Sequence, residues 1–105
     1  MLEGVLYEVI SKGENTATVK LLHDSPVYAA HFPGFPITPG VTIVQMALEC
    51  MGRELSGAKD IKFIVPVPPS AGTLRFEWSI IDDSRADISV FLPGDVLSAK
   101  MSVSL

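Results

Sequence analysis

His31-Phe32-Pro33-Gly34-Phe35-Pro36-Ile37-Thr38-Pro39-Gly40-Val41 runs straight into Thr42-Ile43-Val44-Gln45-Met46-Ala47-Leu48-Glu49-Cys50-Met51. Prolines and glycines recur too often in the first half for a helix or a strand to continue through it. Residues 24–40 are therefore expected to form a shaped, stiffened loop without regular structure. The second half is apolar at almost every position, while Thr42, Gln45, Glu49 and then Arg53 fall at helical spacing on a single stripe. Pro39 stands at the first turn, where a missing N–H costs nothing. The spacing predicts a helix over 41–55, roughly 22 Å long at about 1.5 Å per residue, wrapped by other structure on most of its circumference.

Outward from this segment the chain reads as strands. Residues 4–10 alternate, with Val5, Tyr7 and Val9 on one face, and Lys12-Gly13-Glu14-Asn15 makes a turn before 16–22 alternates again. Beyond Ser56-Gly57, residues 60–67 read as a strand that ends in the turn Pro68-Pro69-Ser70-Ala71-Gly72. Residues 73–81 put Leu74, Phe76, Trp78 and Ile80 on one face, 88–92 form a short strand, and Pro93-Gly94-Asp95 turns into a last strand over 96–105. Two strands, a loop, one helix and about four strands describe a single α+β domain over 1–105. In it an antiparallel β-sheet is wrapped around one long central helix.

Composition narrows the function classes. With 48% of its residues apolar, a chain of 105 residues can bury a core, yet it is short enough that a dimer is the natural expectation. The net charge of −4, without a cluster of Lys or Arg, argues against a nucleic-acid partner. No apolar run is long enough for a membrane span, and Met1-Leu2-Glu3-Gly4 has neither the basic nor the apolar region of a signal peptide. A cytoplasmic protein is the resulting expectation. Cys50 is the only cysteine, which rules out a disulfide scaffold and a cysteine-based metal site. No cofactor or metal is called for.

Chemistry concentrates where the loop meets the helix. Backbone N–H groups at a helix start have no partner within the helix and carry the positive end of its dipole. Gly40 and Val41 stand there, and a glycine admits close approach. Such donors polarise a thioester carbonyl and lower the cost of an enolate beside it. His31 lies nine residues upstream, and a neutral imidazole held near that carbonyl can take an α-proton at physiological pH. From the residues alone the loop reads as a proton-abstraction site, a pattern that other sites share.

The segment HFPGFPITPGVTIVQMALE resembles the signature of the 3-hydroxyacyl-[acyl-carrier-protein] dehydratases of the hotdog fold. The resemblance continues through Asp24, Pro26 and Tyr28 before the histidine. It also takes in Ile61-Lys62-Phe63, Pro66-Val67, Pro69, Gly72 and Leu74 after the helix, and Gly94-Asp95-Val96 near the end. It implies a hydro-lyase acting on 3-hydroxyacyl or enoyl thioesters of acyl carrier protein or CoA, in fatty-acid or related acyl biosynthesis. It further implies a homodimer, or a higher homo-oligomer, with paired sheets and sites at the subunit interface. His31 matches the catalytic histidine, Gly40 and Val41 the backbone that holds the thioester oxygen, and Phe32, Pro33 and Pro39 the surrounding substrate-binding loop.

Gln45 departs from that pattern. The matching position is a glutamate or aspartate in the family, which acts with the histidine from the other subunit. A carboxyl group can protonate a departing hydroxyl, whereas a carboxamide can only hydrogen-bond to it. Glu49 stands four residues on, where family members often carry glutamine, so the two side-chain types look exchanged along one helix face. Their β-carbons are expected roughly 5–6 Å apart, with a bridging water between them. Gln45 would orient the hydroxyl, and the acid role would fall to His31, a water or Glu49. Glu49 has a structural reading too, as an ion pair with Arg53 four residues later. Alternatives to a dehydratase are a catalytically inactive acyl-thioester-binding module, the inactive partner of a heterodimeric dehydratase, and a hotdog thioesterase, although those enzymes too generally use a carboxylate on this helix. His23 reads as a surface residue and Cys50 as a core residue. Arg53, Lys59 and Lys62 would form a basic rim for an acidic carrier.

Overall fold

The computed structural model describes residues 2–30 and 37–105. Strands β1 (Tyr7–Lys12) and β2 (Thr16–Leu21) precede a short helix α1 (Pro26–Ala30) and the main helix α2 (Gly40–Met51). Strands β3 (Gly57–Phe63), β4 (Thr73–Asp82), β5 (Arg85–Leu92) and β6 (Val96–Ser104) follow. The six strands form one antiparallel sheet in the order β1-β2-β4-β5-β6-β3, as expected of a sheet wrapped around one helix.

Helix α2 shares one buried core with that sheet. Ile43, Val44, Met46, Ala47, Leu48 and Cys50 are buried against Val19, Leu74, Phe76, Ile88, Val90, Ala99 and Val103. Cys50 is a buried core residue as read, and exposed His23 lies at the surface. No helix among the described residues is long and apolar enough to cross a membrane.

Several boundaries differ from those expected, each for a local reason. Helix α2 stops at Met51 and not at 55, because Gly52 adopts the left-handed conformation (φ 69°) and donates to Glu49 O while Arg53 N reaches Leu48 O. Strand β1 starts at Tyr7, since Gly4 (φ 84°) sits in a turn that joins Leu6 N to Leu2 O. Tyr7 and Leu6 are buried, whereas Val5, in the turn before this edge strand, and Val9, on it, are exposed. Strand β3 leaves the ladder after Phe63, where Ser98 O accepts both Ile64 N and Val65 N. Part of the expected loop, Pro26–Ala30, is one turn of helix, with Pro26 at its first position. Ile80 is exposed although Leu74, Phe76 and Trp78 are buried. Ten residues of β4 span about 33 Å, whereas twelve helical residues span about 18 Å, so the strand outlasts the helix it covers.

Candidate active site

Pro39 precedes helix α2 in an extended conformation (φ −61°, ψ 140°), and its carbonyl accepts Thr42 N, Ile43 N and the Thr42 hydroxyl. The first N–H groups of the helix, those of Gly40 and Val41, are of the kind that find no partner inside it. A cleft of about 310 Å³ opens beside them, lined by Ile37, Thr38, Gly40, Ile43 and the stretch from Phe63 to Val67. Its walls are mainly apolar, which suits an acyl chain. Gly40 is needed here for close approach: a β-carbon on it would lie 2.6 Å from the Phe63 ring. The space that the sequence reading left for a ligand is thus bordered by an aromatic side chain that is 52% exposed.

His31, Phe32 and Pro33, at the heart of the loop, lie outside the described residues. The two ends of that loop are described, and they are pinned together. The Tyr28 hydroxyl and Thr38 Oγ1 are 2.8 Å apart, both residues are 4% exposed, and Thr38 N donates to Val67 O at 2.7 Å. Burial pushes the Tyr28 phenol up, so it stays protonated at neutral pH. In the sequence Tyr28 stands out only as part of the family resemblance. The sole signal for the clasp was a phenol and a hydroxyl flanking a proline-rich run.

Gln45 and Val41 lie on the open face of helix α2, one turn apart, and Val41 is 78% exposed. Gln45 meets Glu49 directly, with Nε2 donating to Oε2 at 3.0 Å. The expected bridging water is unnecessary, because two long side chains close the gap between β-carbons. The expected Glu49–Arg53 pair is replaced by other contacts. Gly52 turns the chain out of the helix, so four-residue spacing no longer brings Arg53 alongside, and its guanidinium donates to Asp83 O at 3.1 Å. Glu49 instead accepts from the amino-terminal segment. Leu2 N reaches both carboxylate oxygens (3.1 and 2.9 Å), Glu3 N reaches Oε1 at 3.2 Å, and the Tyr7 hydroxyl reaches Oε1 at 2.8 Å. Partial burial pushes the Glu49 carboxyl up, but the donors from Leu2, Gln45, Tyr7 and Glu3 together hold it below the usual glutamate range. Burial, and then the bond to Glu49, pushes the Tyr7 phenol up. Nothing in the sequence pointed to Leu2, Glu3 or Tyr7 as partners of Glu49, which lie more than forty positions away.

The chain is similar in sequence and fold to known proteins. Residues 8–96 match the ApeI-like family, described as ApeI dehydratase. A 3-hydroxyacyl-[acyl-carrier-protein] dehydratase FabZ of Zymomonas mobilis subsp. mobilis is 30% identical over 111 residues, covering 90% of this chain and 69% of that protein. The FabZ of Anaplasma phagocytophilum is 34% identical over 96 residues, covering 87% of this chain but only 58% of its own length. Among solved structures, the dehydratase heterocomplex ApeI:P from Xenorhabdus doucetiae superimposes with a TM-score of 0.68 at 19% identity, covering 93% of this chain and 96% of that one. That likeness bears on the fold, which is the hotdog fold. The match over 8–96 and the shared sequence with FabZ make this chain a FabZ-like member of the ApeI-like dehydratase family.

Proposed function

We propose that the chain dehydrates 3-hydroxyacyl thioesters of acyl carrier protein or CoA, reversibly, as a cytoplasmic enzyme of fatty-acid or related acyl biosynthesis. The observation that carries this reading is the opening of helix α2 at Gly40 and Val41 onto an apolar cleft, beside the clasped ends of the His31 loop. The thioester oxygen would accept from N–H groups at that helix start, with the acyl chain along the cleft and Phe32, Pro33 and Pro39 around it. Neutral His31 would take the α-proton. The resulting enolate re-forms its carbonyl as the C3–O bond breaks, and the hydroxyl departs as water with a proton returned from His31. Gln45 of a second copy would orient that hydroxyl.

A homodimer fits the surface. Strand β3 is an open sheet edge, and Ile61, Phe63, Ile64 and Val41 are exposed apolar residues. Pairing of two such edges would extend the sheet and cover those side chains. Lys59 and Lys62 on the same strand and Arg53 nearby supply positive charge for an acidic carrier. Purified protein is expected to interconvert 3-hydroxyacyl and enoyl thioesters, and His31→Ala to lose at least about a hundredfold of that rate. Absence of turnover in the wild type, or unchanged turnover in the variant, removes the reading.

Gln45 favours a second reading. Without a carboxyl group at that position the chain would bind acyl thioesters without converting them, alone or as the inactive partner of an intact dehydratase. The likeness to a subunit of a dehydratase heterocomplex is compatible with this. Gln45→Glu separates the two. A large gain of activity supports a degenerate dehydratase scaffold, and loss of a measurable wild-type activity supports a glutamine-based mechanism.

A further inference from the structure

Glu49 is charged, partly buried and surrounded by donors, and the reaction just outlined gives it no necessary task. Its four partners exhaust what a carboxylate can accept. Oε1 takes Leu2 N, Glu3 N and the Tyr7 hydroxyl, and Oε2 takes Leu2 N and Gln45 Nε2. Three of these donors come from the amino-terminal segment and strand β1, so the carboxylate is fixed in space independently of Gln45. A group held in that way is a poor proton donor. It is, however, a good template for a neighbour.

An ionised carboxylate accepts hydrogen bonds and donates none. The Gln45 amide must therefore turn its NH₂ toward Glu49 and its carbonyl oxygen away, outward from the open face of helix α2 on which Gln45 is exposed. An unrestrained glutamine would present either end. We propose that Glu49 is a positioning residue that fixes the Gln45 amide with its carbonyl turned to the acyl site of a second copy, where it accepts a hydrogen bond from the substrate's 3-hydroxyl. The inference rests on the reading of Gln45 as a substrate-facing residue. It assigns the pair a division of labour in which the carboxylate stays charged and remote while the amide touches substrate. Neutral Gln45 thereby offers the acceptor geometry of a carboxylate without its charge, and recognition of the hydroxyl is separated from proton delivery.

The test compares Glu49→Gln and Glu49→Ala with Tyr7→Phe, which removes one donor to Glu49 but leaves its bond to Gln45. In ¹H–¹⁵N spectra of the full chain, one Nε2 proton of Gln45 is expected to lie apart from the positions of solvent-exposed glutamines. It should return to them in Glu49→Ala and keep its place in Tyr7→Phe. Binding is measured with 3-hydroxydecanoyl- and decanoyl-pantetheine analogues carried as amides, which resist elimination. Wild type and Tyr7→Phe are expected to prefer the hydroxylated analogue by about tenfold, roughly one hydrogen bond, and both Glu49 variants to lose that preference. A Gln45 signal indifferent to Glu49→Ala overturns the proposal. So does equal loss of preference in Tyr7→Phe, which would make Glu49 a purely structural anchor, or a wild type that does not discriminate. Failure of the dehydratase reading looks different: the thioester is not turned over, while the spectra and the hydroxyl preference stand.

Discussion

Glu49 and Gly40 show how single residues set the terms of the site. The amino-terminal donors to Glu49 join residues far apart in sequence, so Glu49→Ala should destabilise the fold by about 1–3 kcal/mol through unpaired or newly hydrated groups. Thermal denaturation checks this. Its carboxyl titrates lower in the folded than in the unfolded chain, so the stability it supplies is complete above about pH 5 and drains away as the pH falls through the folded value. Glu49→Gln should accordingly flatten the acid side of a plot of Tm against pH. At Gly40, alanine would press a methyl group into the Phe63 ring, whose tip is the nearest atom. Because that ring is half exposed it can swing aside. Gly40→Ala is thus expected to cost about 1–2 kcal/mol at most while reshaping the cleft. The combination with Phe63→Ala should recover the loss, as a double-mutant cycle by denaturant unfolding will read.

At the scale of elements, helix α2 and the strands around it were largely legible. The apolar run after Pro39 could only be a buried helix, and the alternation in β2 and β4 reflects a sheet with one covered face. What escaped was where elements stop. Gly52 carried the stop signal for α2, but polar residues beyond it continued the helical stripe and disguised it. Gly52→Ala is expected to lower stability by about 1 kcal/mol, since a β-carbon strains the left-handed cap. Chemical denaturation measures that. The failed Glu49–Arg53 pairing follows from the same boundary. Contacts between distant segments, such as Glu49 with Leu2 and Tyr7 or Tyr28 with Thr38, depend on how the chain closes in space, and periodicity carries no trace of them.

At the scale of the whole molecule, the open edge of β3 and the exposed Val41 and Gln45 on α2 are the surfaces that the proposed dimer would bring together. Ile61→Asp should leave the fold of one chain intact, because the residue is already 38% exposed, yet weaken the proposed dimer by more than about tenfold. Sedimentation at several concentrations reads that, and activity should fall with the dimer. That helix α2 begins at Gly40, beside a cleft, was legible from the loop-to-helix sequence, because a proline and a glycine at a helix start act locally. The chemistry at Gln45 was not, since its orientation is set by a carboxylate whose own anchors lie across the molecule. The most direct measurement is the rate at which purified chain converts a 3-hydroxyacyl thioester to its enoyl partner, taken beside His31→Ala. Turnover in the wild type that falls at least about a hundredfold in the variant is the expected result, and equal rates, or none in either protein, would contradict it.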